Sequence, residues 1–305
     1  MKNNSYMVKN YKLLAEKFAD EGDLPRAMEF YKKAYKLKEG RRDIELLLDM
    51  AIFFDELGET EQAVEKYQEV LDINPKEPRA YYGMAVIHDN NKEYDKAIEL
   101  YKRAIELDES YDRAYFFLAN AYDETGNKEL AIENYRKVIE VNPEDFWAYV
   151  NLGVIYEELN QNLTALEVTQ KAIELEPKHY KSLFNMGVIL KKLGRVDEAK
   201  EYYRKSIEQE PYYPYGYLNL GVIYIEAKDY KKAAEVFSEG IQGNPAAASL
   251  FYNRACCYAQ LSKPEKALGD VIKAVELYPP LSEFMKTDKE LDAIRDLEAY
   301  KKFFN

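Results

Sequence analysis

The chain has 305 residues and a formal net charge of −12, with 47% hydrophobic and 32% charged residues. This is the composition of an ordinary folded protein, and its excess of acid argues against binding to nucleic acid or to an anionic membrane. The two cysteines are adjacent, so they exclude a disulfide framework and favour a reducing, cytoplasmic location. No apolar stretch approaches the roughly 18 residues of a membrane-spanning helix.

A repeat of 34 residues runs along the chain. Eight alanines are separated by 36 residues once and by 34 residues thereafter, and another small residue precedes each alanine by twelve residues. We number the repeat so that this small residue is position 8 and the alanine is position 20. Two extra residues near Gly40–Asp43 lengthen the first spacing. The predicted repeats span residues 8–41, 44–77, 78–111, 112–145, 146–179, 180–213, 214–247 and 248–281.

Each repeat predicts two helices. In the fifth repeat Tyr149, Leu152 and Tyr156 recur at the spacing of one helical face, and a second such face begins near Ala165. Pro177 then ends the second helix, because proline cannot continue it. The small residues at positions 8 and 20 let the two helices cross closely, and aromatic residues at positions 4, 11 and 24 fill the flanking space. Those three positions hold half of the 28 tyrosines.

This pattern resembles the tetratricopeptide repeat. The resemblance implies an all-α fold, an α-α superhelix in which antiparallel helix pairs form a right-handed solenoid over residues 1–281. It also implies that the first helix of each pair lines a concave groove. The fifth repeat carries the resemblance with Tyr149, Leu152, Gly153, Tyr156, Ala165, Ala172 and Pro177.

Residues 282–305 do not complete a ninth repeat. Thr287 and Glu290 have the spacing of a capping box at a helix N-terminus. Leu291, Ile294 and Leu297 then predict an apolar helical face. A solenoid must cover its last exposed interface, so we expect this segment to be a C-terminal helical cap, as in many bacterial arrays of the family.

The groove supplies the candidate binding residues. By the geometry of the family, positions 2, 5, 6, 9, 12 and 13 face into it. Position 6 holds asparagine in four successive repeats, and we expect these side chains to form a ladder that binds the backbone of an extended peptide. The predicted peptide-binding residues are Asn120, Asn151, Asn185, Asn219, Asn253, Trp147, Phe116, Phe184, Tyr215, Leu218, Tyr252 and Lys181.

Acidic residues recur at positions 12 and 13 of the second to fifth repeats. They indicate either a solvated face or a groove that prefers a basic or amphipathic partner. Apolar residues at positions 5 and 9 likewise either contact a partner or pack between neighbouring helices. Both interpretations stay open on the sequence alone.

No catalytic residue, metal site or cofactor is predicted. His88 stands at an aromatic packing position, and no phosphate-binding loop or nucleophile motif occurs. The sequence therefore predicts a non-catalytic scaffold that binds a protein or peptide partner, most simply as a monomer. One alternative is a co-chaperone-like binder of acidic C-terminal peptides, for which Asn120, Asn151 and Lys181 match but Phe116 and Asn185 replace two cations. The other is a regulatory subunit that acts through self-association or its convex face.

Overall fold

The computed structural model describes residues 2–304, and these residues form helices and turns without any strand. The all-α class expected from the sequence is therefore confirmed. The helices come in successive pairs: α1 Lys2–Asp20 and α2 Leu24–Lys36, α3 Ile44–Glu56 and α4 Thr60–Ile73, α5 Pro78–Asn90 and α6 Tyr94–Leu107, α7 Asp112–Glu124 and α8 Lys128–Val141, α9 Phe146–Glu158 and α10 Asn162–Leu175, α11 Tyr180–Lys192 and α12 Val196–Gln209, α13 Pro214–Glu226 and α14 Tyr230–Gly243, α15 Ala248–Gln260 and α16 Pro264–Leu277.

The chain packs into two compact units, Met1–Ala148 and Tyr149–Asn305, which we call the N-terminal and C-terminal units. In the N-terminal unit the first helices α3, α5 and α7 neighbour one another, and α2, α4 and α6 each pack on the helix that follows. In the C-terminal unit α13 neighbours α15, and α10, α12 and α14 likewise pack on their successors. Within each unit this is the stacking of helix pairs that defines an α-α superhelix. The exact repeat boundaries remain a prediction.

Each pair is joined by a tight turn in which position 15 has a positive φ. Glycine occupies this position in half of the turns and nothing lies within 4 Å of a Cβ built there, so the backbone angle alone favours it. The other turns adopt the same angle without glycine. The glycines are Gly22, Gly58, Gly126 and Gly194, at φ of 74–78°, and the other residues are Lys92, Asn160, Lys228 and Ser262, at 56–60°.

The two helices of a pair pack closely at position 8. A Cβ on Gly187 would lie 2.7 Å from ring atoms of Tyr203, and a Cβ on Gly221 would overlap the ring of Phe237. The missing side chain at position 8 therefore makes room for the large residue at position 24 of the same pair. Ala199, at position 20, is fully buried in the same crossing.

The longer first junction has a defined structure. Its extra residues form a 3₁₀ turn, Gly40–Arg42. A Cβ on Gly40 would collide with the carbonyl oxygen of Ala34, so only glycine fits there. Asp43 then caps α3 by accepting a hydrogen bond from the backbone N–H of Leu46 at 3.0 Å.

Residues 281–304 continue as short helices: α17 Leu281–Thr287, a 3₁₀ turn Lys289–Leu291, α18 Asp292–Arg295 and α19 Glu298–Phe304. Met285, Leu291 and Ile294 are fully buried in one apolar cluster with α15 and α16. The predicted capping box was wrong. Asp288, not Thr287, accepts the hydrogen bond from the backbone N–H of Glu290, because α17 extends through Thr287 and the next turn begins one residue later.

Candidate binding groove

A cavity of about 390 Å³ opens on the first helices of the N-terminal unit. Repeat positions 2, 5, 6, 9, 12 and 13 supply most of its lining, so these positions do face one shared space here. Two tyrosines from outside those positions complete the wall. The lining residues are Glu45, Leu48, Asp49, Ile52, Asp55, Glu56, Tyr67, Arg79, Tyr82, Gly83, Val86, Tyr111 and Arg113.

Tyr67 and Gly83 meet at the wall of this cavity. Tyr67 is only 5% exposed, and a Cβ on Gly83 would overlap its phenol end, so the glycine gives the hydroxyl its space. At the same position of the next repeat, Tyr101 donates a hydrogen bond to Asp89 at 3.0 Å. The Tyr67 hydroxyl makes no hydrogen bond within residues 2–304. Sequence reasoning treated this tyrosine as packing and missed its place in the cavity, since only the tertiary contact with Gly83 reveals it.

Some of the charged residues around the cavity bind one another. The guanidinium of Arg79 contacts both carboxylate oxygens of Glu45, at 2.7 and 3.0 Å, and holds the pKa of Glu45 below its usual value. Lys12 binds Asp49 at 2.6 Å. Glu45 and Arg79 occupy position 2 of successive first helices, so these helices lie in register.

Other charged residues of the cavity have no such partner. Asp55 and Glu56, in the last turn of α3, make no ion pair within the described part of the chain, and burial raises the pKa of Asp55. Arg113, in the first turn of α7, is also without an ion pair among those residues. The acidic groups without an ion pair, Asp55 and Glu56, thus lie at the C-terminal end of a first helix, whereas Arg113 lies at the N-terminal end of another.

Three of the predicted groove residues lie in the N-terminal unit. Phe116 is half-buried, with its ring edge-on to Tyr135 at 5.7 Å between centroids. Asn120 accepts a hydrogen bond from the Tyr135 hydroxyl. Trp147 is 46% exposed and packs edge-on against Phe146 at 5.1 Å. Asn120 is therefore engaged in the fold, whereas the indole of Trp147 retains open surface.

Aromatic rings cluster between α11 and α13 in the C-terminal unit. The ring centroid of Phe184 lies 5.3 Å from that of Tyr213 and 5.7 Å from that of Tyr203. The ring centroids of Tyr213 and Tyr215 are 5.2 Å apart. Tyr215 remains 55% exposed. Sequence reasoning missed Tyr213, although the tyrosine pair inside Pro211–Pro214 was a signal that aromatic residues flank the start of α13.

The predicted asparagine ladder consists of half-buried side chains, one on each first helix of the C-terminal unit. Asn219 donates to the backbone carbonyl of Tyr215 at 3.1 Å, and Asn253 donates to that of Ser249 at 2.8 Å. These bonds within the helix use amide protons and leave each side-chain oxygen as an acceptor. The row is Asn151, Asn185, Asn219 and Asn253.

The remaining predicted residues differ in their environment. Lys181 is exposed and Leu218 is half-buried. Tyr252 donates a hydrogen bond to Asp288 at 2.6 Å, and its ring lies edge-on to Phe284 at 5.7 Å. The C-terminal segment therefore occupies the surface beside Tyr252.

One group of potential metal ligands was not predicted. Single donor atoms of Cys256, Asp288 and Glu290 lie within 4.8 Å of one another. Burial raises the pKa of the Cys256 thiol, and Asp288 already accepts the hydrogen bond from Tyr252. A neutral thiol and an engaged carboxylate are weak ligands, so we assign no metal to this group.

Models of one family match the chain in several places. Models described as tetratricopeptide repeat match residues 78–111, 148–179, 180–213 and 202–235. A model described as TPR repeat matches residues 54–92 and 119–160. Together the matches span residues 54–111 and 119–235, which is more than half of the chain.

The chain is similar to a curated protein over a short region. Photosystem I assembly protein Ycf3 of Synechococcus sp. (strain CC9902) is 45% identical over 60 residues, which is 19% of this chain. The match covers 35% of that relative's own length. A stretch of that size corresponds to fewer than two repeats.

Two solved structures are similar over larger parts of the chain. One is described as YrrB, a TPR protein with an unusual peptide-binding site; it is 26% identical, with a TM-score of 0.53, and the match covers 61% of this chain and 96% of that one. The other, a tetratricopeptide repeat protein from Parabacteroides merdae ATCC 43184, is 19% identical with a TM-score of 0.60, over 83% of this chain and 99% of that one, which shows the fold alone.

Among the described helices, none combines the length and apolar character that crossing a bilayer requires.

Proposed function

Because this chain is a member of the tetratricopeptide repeat family, a family of protein-interaction scaffolds, we propose that it binds a peptide or helix of a partner protein in its concave groove and catalyses no reaction. The proposal includes a cytoplasmic location and no cofactor. Both cysteines are free and buried, which suits a reducing compartment.

The observation that carries the proposal is the row of half-buried asparagines at position 6. Asn185 makes no side-chain hydrogen bond within residues 2–304, and Asn219 and Asn253 keep free acceptor oxygens. An extended segment presents backbone N–H groups that such oxygens can bind, each contact contributing about 0.5–1.5 kcal/mol. Phe184 and Leu218, one position before Asn185 and Asn219, then offer apolar surface to the side chains of that segment.

The comparison with YrrB supports peptide recognition, because YrrB is a TPR protein with a peptide-binding site and its similarity covers 61% of this chain. The relative Ycf3 is an assembly protein for photosystem I. A role in assembling a protein complex would also use groove binding. The match to Ycf3 covers only 60 residues, so we do not assign photosystem I as the complex that this chain helps to assemble.

The alternative of a clamp for acidic C-terminal peptides is less favoured. Such a clamp needs several cations, but Phe116 and Asn185 stand where two of them are expected, and the lack of these two cations should weaken carboxylate binding strongly.

Self-association remains the other alternative. Light scattering on the purified chain distinguishes it from the monomer that we favour.

A selection from a random peptide library on the full chain tests the proposal. We expect enriched peptides whose binding protects amides of α11 and α13 from hydrogen exchange, since these helices carry the asparagines and the aromatic cluster. Enrichment of peptides that protect only second helices would place recognition on the convex face. Failure to enrich any peptide, with a dimer seen by light scattering, would contradict groove recognition.

A further inference from the structure

The cavity of the N-terminal unit has an acidic end without a matching cation. Asp55 and Glu56 line it and have no ion pair within residues 2–304. They lie in the last turn of α3, where the helix dipole already disfavours negative charge. No cationic side chain among the described residues pairs with these carboxylates. A cation supplied by a partner would therefore not have to displace an existing ion pair.

Tyr67 supplies a second and independent observation. Its side chain is 95% buried, yet its hydroxyl lines the cavity and has no hydrogen-bond partner among the described residues. A buried polar group usually has a hydrogen-bond partner. At this repeat position Tyr101 has one in Asp89, whereas the buried hydroxyl of Tyr203 has none among the described residues. Gly83 keeps the hydroxyl accessible from the cavity, because any side chain there would occupy the same space.

The neighbouring walls suit the stem and head of a long basic side chain. The rings of Tyr82 and Tyr111 lie 5.1 Å apart and both line the cavity, beside the aliphatic residues Leu48 and Ile52. Aromatic faces attract a desolvated cation, and the methylene stem of such a side chain packs on apolar surface.

We propose that this cavity binds the side chain of a lysine or arginine presented by a partner protein. The charged head lies between Asp55 and Glu56 and meets the Tyr67 hydroxyl oxygen, and the stem packs against Tyr82. The inference rests on the proposed function, because it names a side chain that the groove recognises.

Arg113 gives the site a direction. It occupies position 2 of α7 whereas Asp55 occupies position 12 of α3, and ten helical residues separate such positions by about 15 Å along the direction of the helix axes. The basic residue therefore binds at the end away from Arg113. An extended segment covers this distance in about five residues, so its acidic or carbonyl groups lie near Arg113.

The test compares two small probes by amide NMR on the full chain, N-acetyl-lysine methylamide and N-acetyl-norleucine methylamide. They share the aliphatic stem and differ in the ammonium group. We expect saturable shifts of the Tyr82 and Gly83 amides with the lysine probe and at least tenfold weaker binding of the norleucine probe. Equal binding of the two probes would overturn the proposal.

Variants locate the charge that is responsible. D55N/E56Q should weaken the lysine probe at least tenfold, and Y67F, which keeps the packed ring, about two- to tenfold. D95N/E99Q is the matched control, because it removes the same two charges from exposed positions of α6. Loss of binding in the control equal to that in D55N/E56Q would reduce the effect to net charge and overturn the site.

The same variants separate this site from groove recognition in general. Equal binding of the lysine probe to D55N/E56Q and the wild type, while peptides can still be selected on the chain, would refute the cation site and leave the proposed function intact. A lysine probe that binds here while no peptide can be selected would support the site and count against groove recognition.

Discussion

At the scale of single residues, Arg254 shows how a charged side chain is accommodated where the repeat expects an apolar one. Its guanidinium binds both carboxylate oxygens of Asp270 at 2.7 Å and donates to the Ser238 hydroxyl at 3.0 Å. The preceding repeat has Leu220 and Val236 at the positions of Arg254 and Asp270, both buried. A largely buried ion pair thus replaces an apolar pair, and the departure is compensated within the same repeat.

This compensation predicts a non-additive pair of substitutions. R254L leaves the carboxylate of Asp270 buried without a cation and should lower the free energy of unfolding by about 3 kcal/mol. The double variant R254L/D270V copies the preceding repeat and should recover to within about 1 kcal/mol of the wild type. Urea unfolding followed by circular dichroism measures both. A double variant as unstable as R254L would mean that the pair does not act as a unit.

The turn residues give a second test at this scale. Lys228 holds a φ of 60°, which costs a non-glycine residue about 1 kcal/mol, so K228G should raise the free energy of unfolding by about 0.5–1 kcal/mol. K231G is the matched control, because Lys231 is exposed in the first turn of α14 and glycine there should cost about 1 kcal/mol. The same sign for both variants would show that the backbone angle is not the cause.

At the scale of elements, acid at the end of α3 is predicted to cost stability. Burial raises the folded-state pKa of Asp55, so the native state holds that proton more tightly than the unfolded chain and its ionised form is destabilising. D55N should therefore gain about 0.3–1 kcal/mol at pH 7. The gain should vanish as the pH falls below about 4, where the carboxyl is protonated in both states.

Thermal unfolding of D55N and the wild type at pH 7 and near pH 3 measures this difference. D95N is the control of opposite sign, since Asp95 lies in the first turn of α6, where the dipole favours acid. A gain for D55N that is independent of pH would exclude its charge as the cause. An Asp55 carboxylate that destabilises the fold is consistent with a role in binding a partner.

The helices were predictable from the sequence because their signals are local. Pro78 and Pro214 begin first helices, and the spacing of small residues predicts where the paired helices cross. The start of the turn after α17 was missed because Thr287 and Asp288 are both good caps, and only the length of α17 decides between them. Likewise, Gly83 reads as a small residue at position 6, and its contact with Tyr67 depends on two helices that meet in the folded protein.

At the scale of the whole molecule, the segment after α16 is expected to protect the end of the chain. Met285 and Ile294 pack in one apolar cluster with Val271, which is fully buried. Deletion of residues 282–305 would expose Val271 and remove the hydrogen-bond partner of Tyr252. We expect lower solubility and hydrogen exchange at least tenfold faster in α15 and α16. Unchanged exchange there would show that this segment is not a cap.

Only part of the groove could be read from the sequence. The resemblance to the family implied which positions of the repeat face a common space, and most of the lining of the cavity at α3 and α5 comes from those positions. It did not reveal that Asn219 and Asn253 bond to their own helices, or that the C-terminal segment reaches Tyr252. Such bonds depend on side-chain conformation and on packing between segments, which a one-dimensional pattern does not contain.

The affinity of a selected peptide for N185A/N219A/N253A tests groove recognition most directly. Three lost hydrogen bonds should weaken binding tenfold or more while the helical content is unchanged. The matched control is Q170A/Q209A/Q242A, which removes three exposed carboxamides from α10, α12 and α14 and should bind as the wild type does. Equal affinity of the asparagine variant, the glutamine variant and the wild type would contradict recognition by the asparagine row.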